Sequence, residues 1–134
     1  MRAAETANPS KTILLIDDDP GVRFGTAALL EDEGFSVISA STGADALLIL
    51  MHMDPPDLIV LDLMLPLMSG WEVSAELAKD ARLARVPVII LSGVADRQEA
   101  SLLRVRPENC VKKPVRPHDL LAAVRRCLAV ETNQ

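Results

Sequence analysis

The stretch Asp57-Leu-Ile-Val-Leu-Asp62-Leu-Met-Leu-Pro66 places the tightest constraint on how this chain can fold. Its apolar run, Leu58 to Leu61, does not alternate with polar residues, and prolines bound it at Pro55-Pro56 and Pro66. Such a run reads as a strand buried on both faces, as central strands of parallel sheets are. A charge at the end of that strand is costly unless it faces a cleft, a metal or a partner. In open parallel sheets the carboxyl edge is where ligands sit. Asp62 is therefore the first residue to suspect of chemistry.

The same grammar repeats along the chain. Thr12 to Ile16 is a second short apolar run that ends in carboxylates, Asp17 and Asp18. Asp19-Pro20 then supplies an N-cap and first helical residue, opening a helix to about Glu33 that Gly34 closes. Phe35 to Ser39 reads as a short strand, and Thr42 with Asp45 three residues later opens a second helix. Ser69-Gly-Trp-Glu72 has capping-box spacing and predicts a helix to about Ala81. Val86 to Leu91 is a fourth buried strand ending at Ser92-Gly93. A short helix over Asp96 to Arg104 and a brief strand over Asn109 to Lys112 follow, the latter stopped at Pro114. From Pro117 a last helix carries Leu120, Val124, Cys127 and Leu128 on one face. Strand-helix alternation repeated five times demands a parallel sheet covered on both faces by right-handed crossovers.

The 134 residues suit one domain, with no internal repeat or linker. Phe24, Phe35 and Trp71 are the only aromatics, so the core must be aliphatic. A net charge of -5 argues against a nucleic-acid surface, which needs a basic stripe. Cys110 and Cys127 form no metal or redox spacing, and Cys127 is expected in the core. No stretch reaches the roughly 18 apolar residues needed to span a bilayer. The segment Met-Arg-Ala-Ala-Glu-Thr lacks a signal-peptide core, so a cytoplasmic location is expected, with residues 1–10 a flexible lead-in.

The chemistry gathers at the strand ends: Asp17 and Asp18, Asp62, Ser92, and Lys113 after the fifth strand. Doubly wound topology brings these ends to one rim. Clustered carboxylates repel and raise at least one pKa. A hard divalent cation relieves that repulsion, and Mg²⁺ suits a few carboxylates with water or phosphate oxygen completing its shell. One carboxylate could then act as a nucleophile and form an acyl phosphate, with Lys113 and Ser92 offsetting charge on the phosphoryl oxygens. The plainer reading of Lys113 is a structural salt bridge to the acidic rim.

The segments ILLIDDDPGVR, DLIVLDLMLPLMSGWE, VPVIILSG and CVKKPV, in this order and spacing, resemble the receiver domain of two-component response regulators. The resemblance covers about residues 12 to 130 and sets the domain at 11–131. It implies a flavodoxin-like, doubly wound α/β fold: a five-stranded parallel sheet in the order 2-1-3-4-5 with five helices. It implies that Asp62 is the phosphoacceptor, receiving its phosphoryl group from a histidine kinase or histidine phosphotransfer protein. Asp18, Asp62 and the Met64 backbone carbonyl would hold Mg²⁺ directly, and Asp17 would act through a coordinated water. Ser92 and Lys113 would bond the phosphoryl oxygens, and the Lys113-Pro114 bond is commonly cis in the family.

Three departures matter. The family's switch aromatic falls at Cys110, so the usual relay through a turning ring cannot operate in that form. The stretch Arg104-Val-Arg-Pro-Glu-Asn109 replaces an Ala/Gly-rich turn. Ser69 stands where Asp is frequent and serves the same capping role. Met64 and Val94 occupy positions that line the approach of hydrolytic water in the family; being apolar they orient none, which implies slow self-dephosphorylation.

His52 and His118 have no companion at ligand spacing and read as surface. Met51, Met53, Met64 and Met68 read as core and loop filling, and Trp71 as partial core packing. Arg104, Arg106, Lys112, Lys113 and Arg116 form one basic group on the face that the family uses for partners. The expected function is a stand-alone phosphoacceptor that signals by protein contacts, with a downstream protein target, neither direct nucleic-acid binding nor a membrane role, and no turnover beyond self-phosphorylation and dephosphorylation. The alternatives are a receiver excised from a larger regulator or hybrid kinase, a degenerate receiver, and a Mg²⁺-dependent phosphatase with an aspartyl nucleophile. The phosphatase would need a second Asp where Met64 stands.

Overall fold

The computed structural model describes residues 10–129. The expected flexible lead-in therefore falls almost wholly outside the described residues, as does the expected domain end at 131. Strands β1 (Thr12–Ile16), β2 (Ser36–Ala40), β3 (Leu58–Asp62), β4 (Val88–Ser92) and β5 (Cys110–Lys112) alternate with five helices. These are α1 (Pro20–Asp32), α2 (Gly43–Met51), α3 (Gly70–Lys79), α4 (Arg97–Leu103) and α5 (Pro117–Ala129), with one 3-10 turn at Pro107–Asn109. All neighbouring strands pair in parallel, in the order β2-β1-β3-β4-β5. This is the flavodoxin-like order expected from the sequence.

Side-chain alternation divides the buried strands between two cores. Leu14, Ile16, Ile59, Leu61 and Ile90 pack beneath α2, α3 and α4, against Leu50, Val73, Leu77 and Leu103. Ile13, Leu15, Leu58, Val60, Ile89 and Leu91 face α1 and α5, against Leu30, Leu120, Val124 and Leu128. All five residues of β3 are buried, which makes it the central strand. Its unalternating sequence follows directly, since each face needs an apolar side chain.

The helix signals hold locally. Asp19 Oδ1 accepts from the Val22 N–H at 3.1 Å, with Pro20 opening α1, and Gly34 at φ 98° follows that helix. Ser69 and Glu72 form the reciprocal capping box. Boundaries shift where long-range contacts decide them. α3 ends at Lys79 rather than about Ala81, because Asp80 is already extended. β4 begins at Val88 and runs through Ser92, so the hydroxyl belongs to the strand rather than to the loop after it.

Two tertiary ties carry no local sequence signal. The Arg82 guanidinium donates to the carbonyls of Leu50 (2.6 Å) and Met53 (2.9 Å), capping the end of α2 from the loop that follows α3. Asp57 Oδ2 accepts from the Thr12 N–H at 2.8 Å, tying the start of β1 to that of β3. Among the described residues no helix is long and apolar enough to cross a membrane.

Candidate functional site

Parallel register brings the strand ends together. Ile16 pairs with Leu61 and Asp62 with Leu91, so Asp17, Asp62 and Ser92 emerge side by side at the carboxyl edge. Lys113 follows β5, its N–H donating to the Ser92 carbonyl at 2.9 Å. Asp17 and Asp62 are each only 2% exposed and Ser92 3%, an unusual depth for such polar groups. Asp18, beside them, is exposed. One carboxylate oxygen from each of Asp17, Asp18 and Asp62 lies within 4.8 Å of the others.

Each buried group has a partner. Asp62 Oδ1 accepts from Lys113 Nζ at 2.6 Å and from the Met64 N–H at 2.9 Å. Asp17 Oδ1 accepts from the Asp19 N–H at 3.0 Å, while Arg23 donates to the Asp17 carbonyl at 2.9 Å. Ser92 Oγ accepts from the N–H groups of Val94 (3.0 Å) and Ala95 (3.4 Å). Burial pushes the Asp17 carboxyl up from its ordinary value, and the Asp62 and Asp18 charges push the same way; the Asp19 N–H and Lys113 oppose them. One ammonium thus faces three clustered carboxylates. That donor set suits a hard divalent cation, whose charge would relieve the excess.

A cleft of about 800 Å³ opens over this edge, and Asp17, Asp18, Asp62, Met64 and Lys113 contribute to its wall. Ser92 is not part of that wall; its hydroxyl is held by N–H groups of the loop that follows β4. Lys113 is engaged as the sequence's plainer reading had it, in a salt bridge to Asp62. The Lys113-Pro114 peptide is cis.

Gly70 is a determinant that the sequence reading passed over. A Cβ there would lie 2.6 Å from Leu63 Cα and 2.7 Å from the Asp62 carbonyl oxygen. The start of α3 therefore rests directly on the strand end that carries Asp62, and its N–H donates to the Leu63 carbonyl at 3.0 Å. A glycine directly after a capping serine was the available clue.

Other expectations divide. His52 and His118 are exposed, as expected. Met53 and Met68 pack against the core, but Met51 and Met64 are 72% and 74% exposed, so they fill neither core nor loop. Met51 is the last residue of α2 and is open to solvent, while Met64 bonds Asp62 through its backbone N–H with its side chain exposed beside the cleft. Trp71 is only partly covered, at 40% exposed. Cys127 is half-buried against the α5 core. Cys110 packs against the α4 side, where burial and the nearby Glu99 and Asp96 charges push its thiol up to about 11. The expected single basic group separates: Lys113 turns to Asp62, while Arg104 and Arg106 line a hollow below α3 and α4.

A family model described as the response regulator receiver domain matches residues 13–125. Over 119 residues the chain is 30% identical to protein PilH of Pseudomonas aeruginosa, covering 87% of this chain and 97% of that protein. It is 34% identical over 116 residues to the probable transcriptional regulator ycf27 of Guillardia theta, covering 87% of this chain and 44% of the relative. The chain thus spans less than half the length of that relative. The fold is also that of chemotaxis response regulator CheY4 of Vibrio cholerae, with a TM-score of 0.81 at 24% identity over 90% of this chain and 100% of that one.

Proposed function

The chain belongs to the response regulator receiver domain family, and from that premise we propose that it accepts a phosphoryl group on Asp62 from the phosphohistidine of a histidine kinase or histidine phosphotransfer protein. The observation that carries the reading is the buried Asp62 carboxylate, bonded by Lys113 and crowded by Asp17 and Asp18 at the mouth of a cleft. A carboxylate oxygen of Asp62 attacks phosphorus as the bond from phosphorus to the histidine nitrogen breaks, giving an acyl phosphate on Asp62 and a free imidazole on the donor. The Met64 N–H and Lys113 hold one carboxylate oxygen, Oδ1, which leaves Oδ2 as the attacking atom.

Mg²⁺ fits this site, with Asp18, Asp62 and the Met64 carbonyl as ligands and Asp17 acting through water. When bound it would offset negative charge on the transferring phosphoryl group. Lys113 exchanges its carboxylate partner for a phosphoryl oxygen. Ser92 needs only a rotation of its side chain away from its loop N–H groups to donate its hydroxyl to another phosphoryl oxygen.

Phosphorylation then alters protein contacts on the face formed by α4, β5 and α5. With Cys110 at the aromatic position, the change runs through the loop after Ser92, where Ala95 sits at φ 47°, and into α4. The domain occupies residues 11–131, works in the cytoplasm as a stand-alone regulator, and acts on a downstream protein rather than on nucleic acid or a membrane. It has no catalytic turnover apart from self-phosphorylation and slow dephosphorylation. Incubation with acetyl phosphate and Mg²⁺ followed by intact mass tests the reading. One added phosphoryl group, absent in Asp62→Asn, is expected; no gain under any condition would leave the domain a degenerate receiver.

A further inference from the structure

At the opposite edge of the sheet, where the loops before β4 and β5 lie, a groove of about 480 Å³ runs beneath α3 and α4. Leu77, Leu83, Val86, Leu103 and Val105 are among its lining residues, beside polar groups, and Arg85, Arg104 and Arg106 stand on it as exposed residues. None of these three guanidinium groups has a hydrogen bond or ion pair among the described residues. Carboxylates are not scarce: the chain has 19 Asp and Glu against 14 Lys and Arg. Three arginines left without partners in an acidic chain, around one hollow with no carboxylate in its wall, are a local excess of positive charge.

Backbone conformation adds a second, independent observation. Arg104 ends α4 at φ 61°, ψ 37°, the left-handed conformation where glycine is the usual resident. A side chain is held there at a cost in strain, which the bonds of the Arg104 and Val105 N–H groups back into α4 offset. Three residues on, Pro107 stiffens the turn that carries Arg106. The positions of two of the three arginines are thus set by the backbone.

The groove continues. A second hollow of about 200 Å³ shares Pro87, Arg106 and Asn109 with the first and extends to Glu108 and to Arg126 and Cys127 on α5, where Arg126 donates to the Glu108 carbonyl at 2.6 Å. Two adjoining hollows lined by aliphatic side chains and guanidinium groups suit an extended chain better than a compact ligand. Arginine clusters recognise carboxylates by their planar fork of donors, and alternate side chains of an extended segment can fill apolar pockets.

We propose that this groove receives an extended acidic peptide segment of a partner protein, one that alternates aliphatic and carboxylate side chains. Its position at the amino-terminal edge of the sheet leaves the Asp62 cleft open, so the partner can remain docked while the carboxyl edge reacts. The proposal does not rest on phosphoryl transfer.

The test uses fluorescence anisotropy with a labelled peptide of alternating Glu and Leu, and a matched peptide with Gln in place of Glu, against the full chain. Saturable binding of the Glu peptide that weakens with added salt is expected. It should weaken by roughly two- to fivefold for each arginine removed in Arg85→Gln and Arg106→Gln. Arg104→Gly removes the charge and relieves the left-handed strain, so it should also weaken binding while folding at least as well as the parent. Uptake of phosphate from acetyl phosphate should be the same in all three variants. No binding, equal binding of the Gln peptide, or binding indifferent to the three variants would overturn the proposal. So would self-association of the chain that the same variants abolish, since the occupant would then be a second copy.

Discussion

Gly70 and Gly25 form a matched pair in which one methyl group should act in opposite directions. At Gly70 the added Cβ would meet Leu63 Cα at 2.6 Å, the Asp62 carbonyl oxygen at 2.7 Å and Leu63 Cδ2 at 2.9 Å. Two of these are backbone atoms of the central strand's end, which cannot swing aside, so either α3 or the strand end must move. Forcing a methylene-sized group into a packed site costs about 1–3 kcal/mol. The gain from replacing glycine in a helix is at most about 1 kcal/mol and smaller at the first helical position. Gly70→Ala should therefore destabilise by about 1–2 kcal/mol. Gly25 lies inside α1 with nothing within 4 Å of its would-be Cβ, so Gly25→Ala should stabilise by about 0.5–1 kcal/mol. Urea unfolding followed by far-UV circular dichroism measures both. A Gly70→Ala midpoint at or above that of the parent would refute the argument that α3 is seated directly on the Asp62 strand end.

Three further expectations concern the site and its supports. Asp17 has a folded pKa raised above 3.8, so its contribution to stability is present at low pH and lost as pH rises through the raised value. Without Mg²⁺ at pH 7, Asp17→Asn should therefore melt higher than the parent and gain less from added Mg²⁺; a lower melting point without metal would contradict the reading that burial and neighbouring like charges disfavour the Asp17 carboxylate. Arg82→Ala should lose about 1–2 kcal/mol in urea unfolding by uncapping the Leu50 and Met53 carbonyls, with Arg82→Lys recovering little of it. Phosphate release from the phosphorylated chain in Mg²⁺ should be slow and should speed up on placing polar side chains at Met64 and Val94, both exposed; an unchanged rate would remove them from the path of water.

Strand ends were legible in the sequence because burial on both faces leaves a run no polar residue until the edge. Asp17, Asp62 and Ser92 stand out for that reason, and parallel topology then places them together. Capping signals were legible because they act within three residues, as at Asp19, Thr42, Ser69 and Asp96. What escaped the sequence depends on contacts across tens of residues. Arg82 reaches α2, Asp57 reaches the start of β1, and Gly70 must be small because of Leu63 in the strand exit below it. The exposure of Met51 and Met64 escaped for a related reason: apolar character says a side chain can be buried, while the helix face or loop direction decides whether it is. The basic residues near β5 are close in sequence, yet Lys113 lies past the carboxyl edge and Arg104 before the amino edge, so the strand itself separates them.

The central claim is that Asp62 carries the phosphoryl group. Its most direct test is to treat the chain with acetyl phosphate and Mg²⁺, reduce with labelled borohydride, and map the label by peptide sequencing, since an acyl phosphate on aspartate is reduced to homoserine. Labelled homoserine at position 62 and nowhere else is the result the structure predicts. Label at Asp17 or Asp18, or none at any residue, would contradict it.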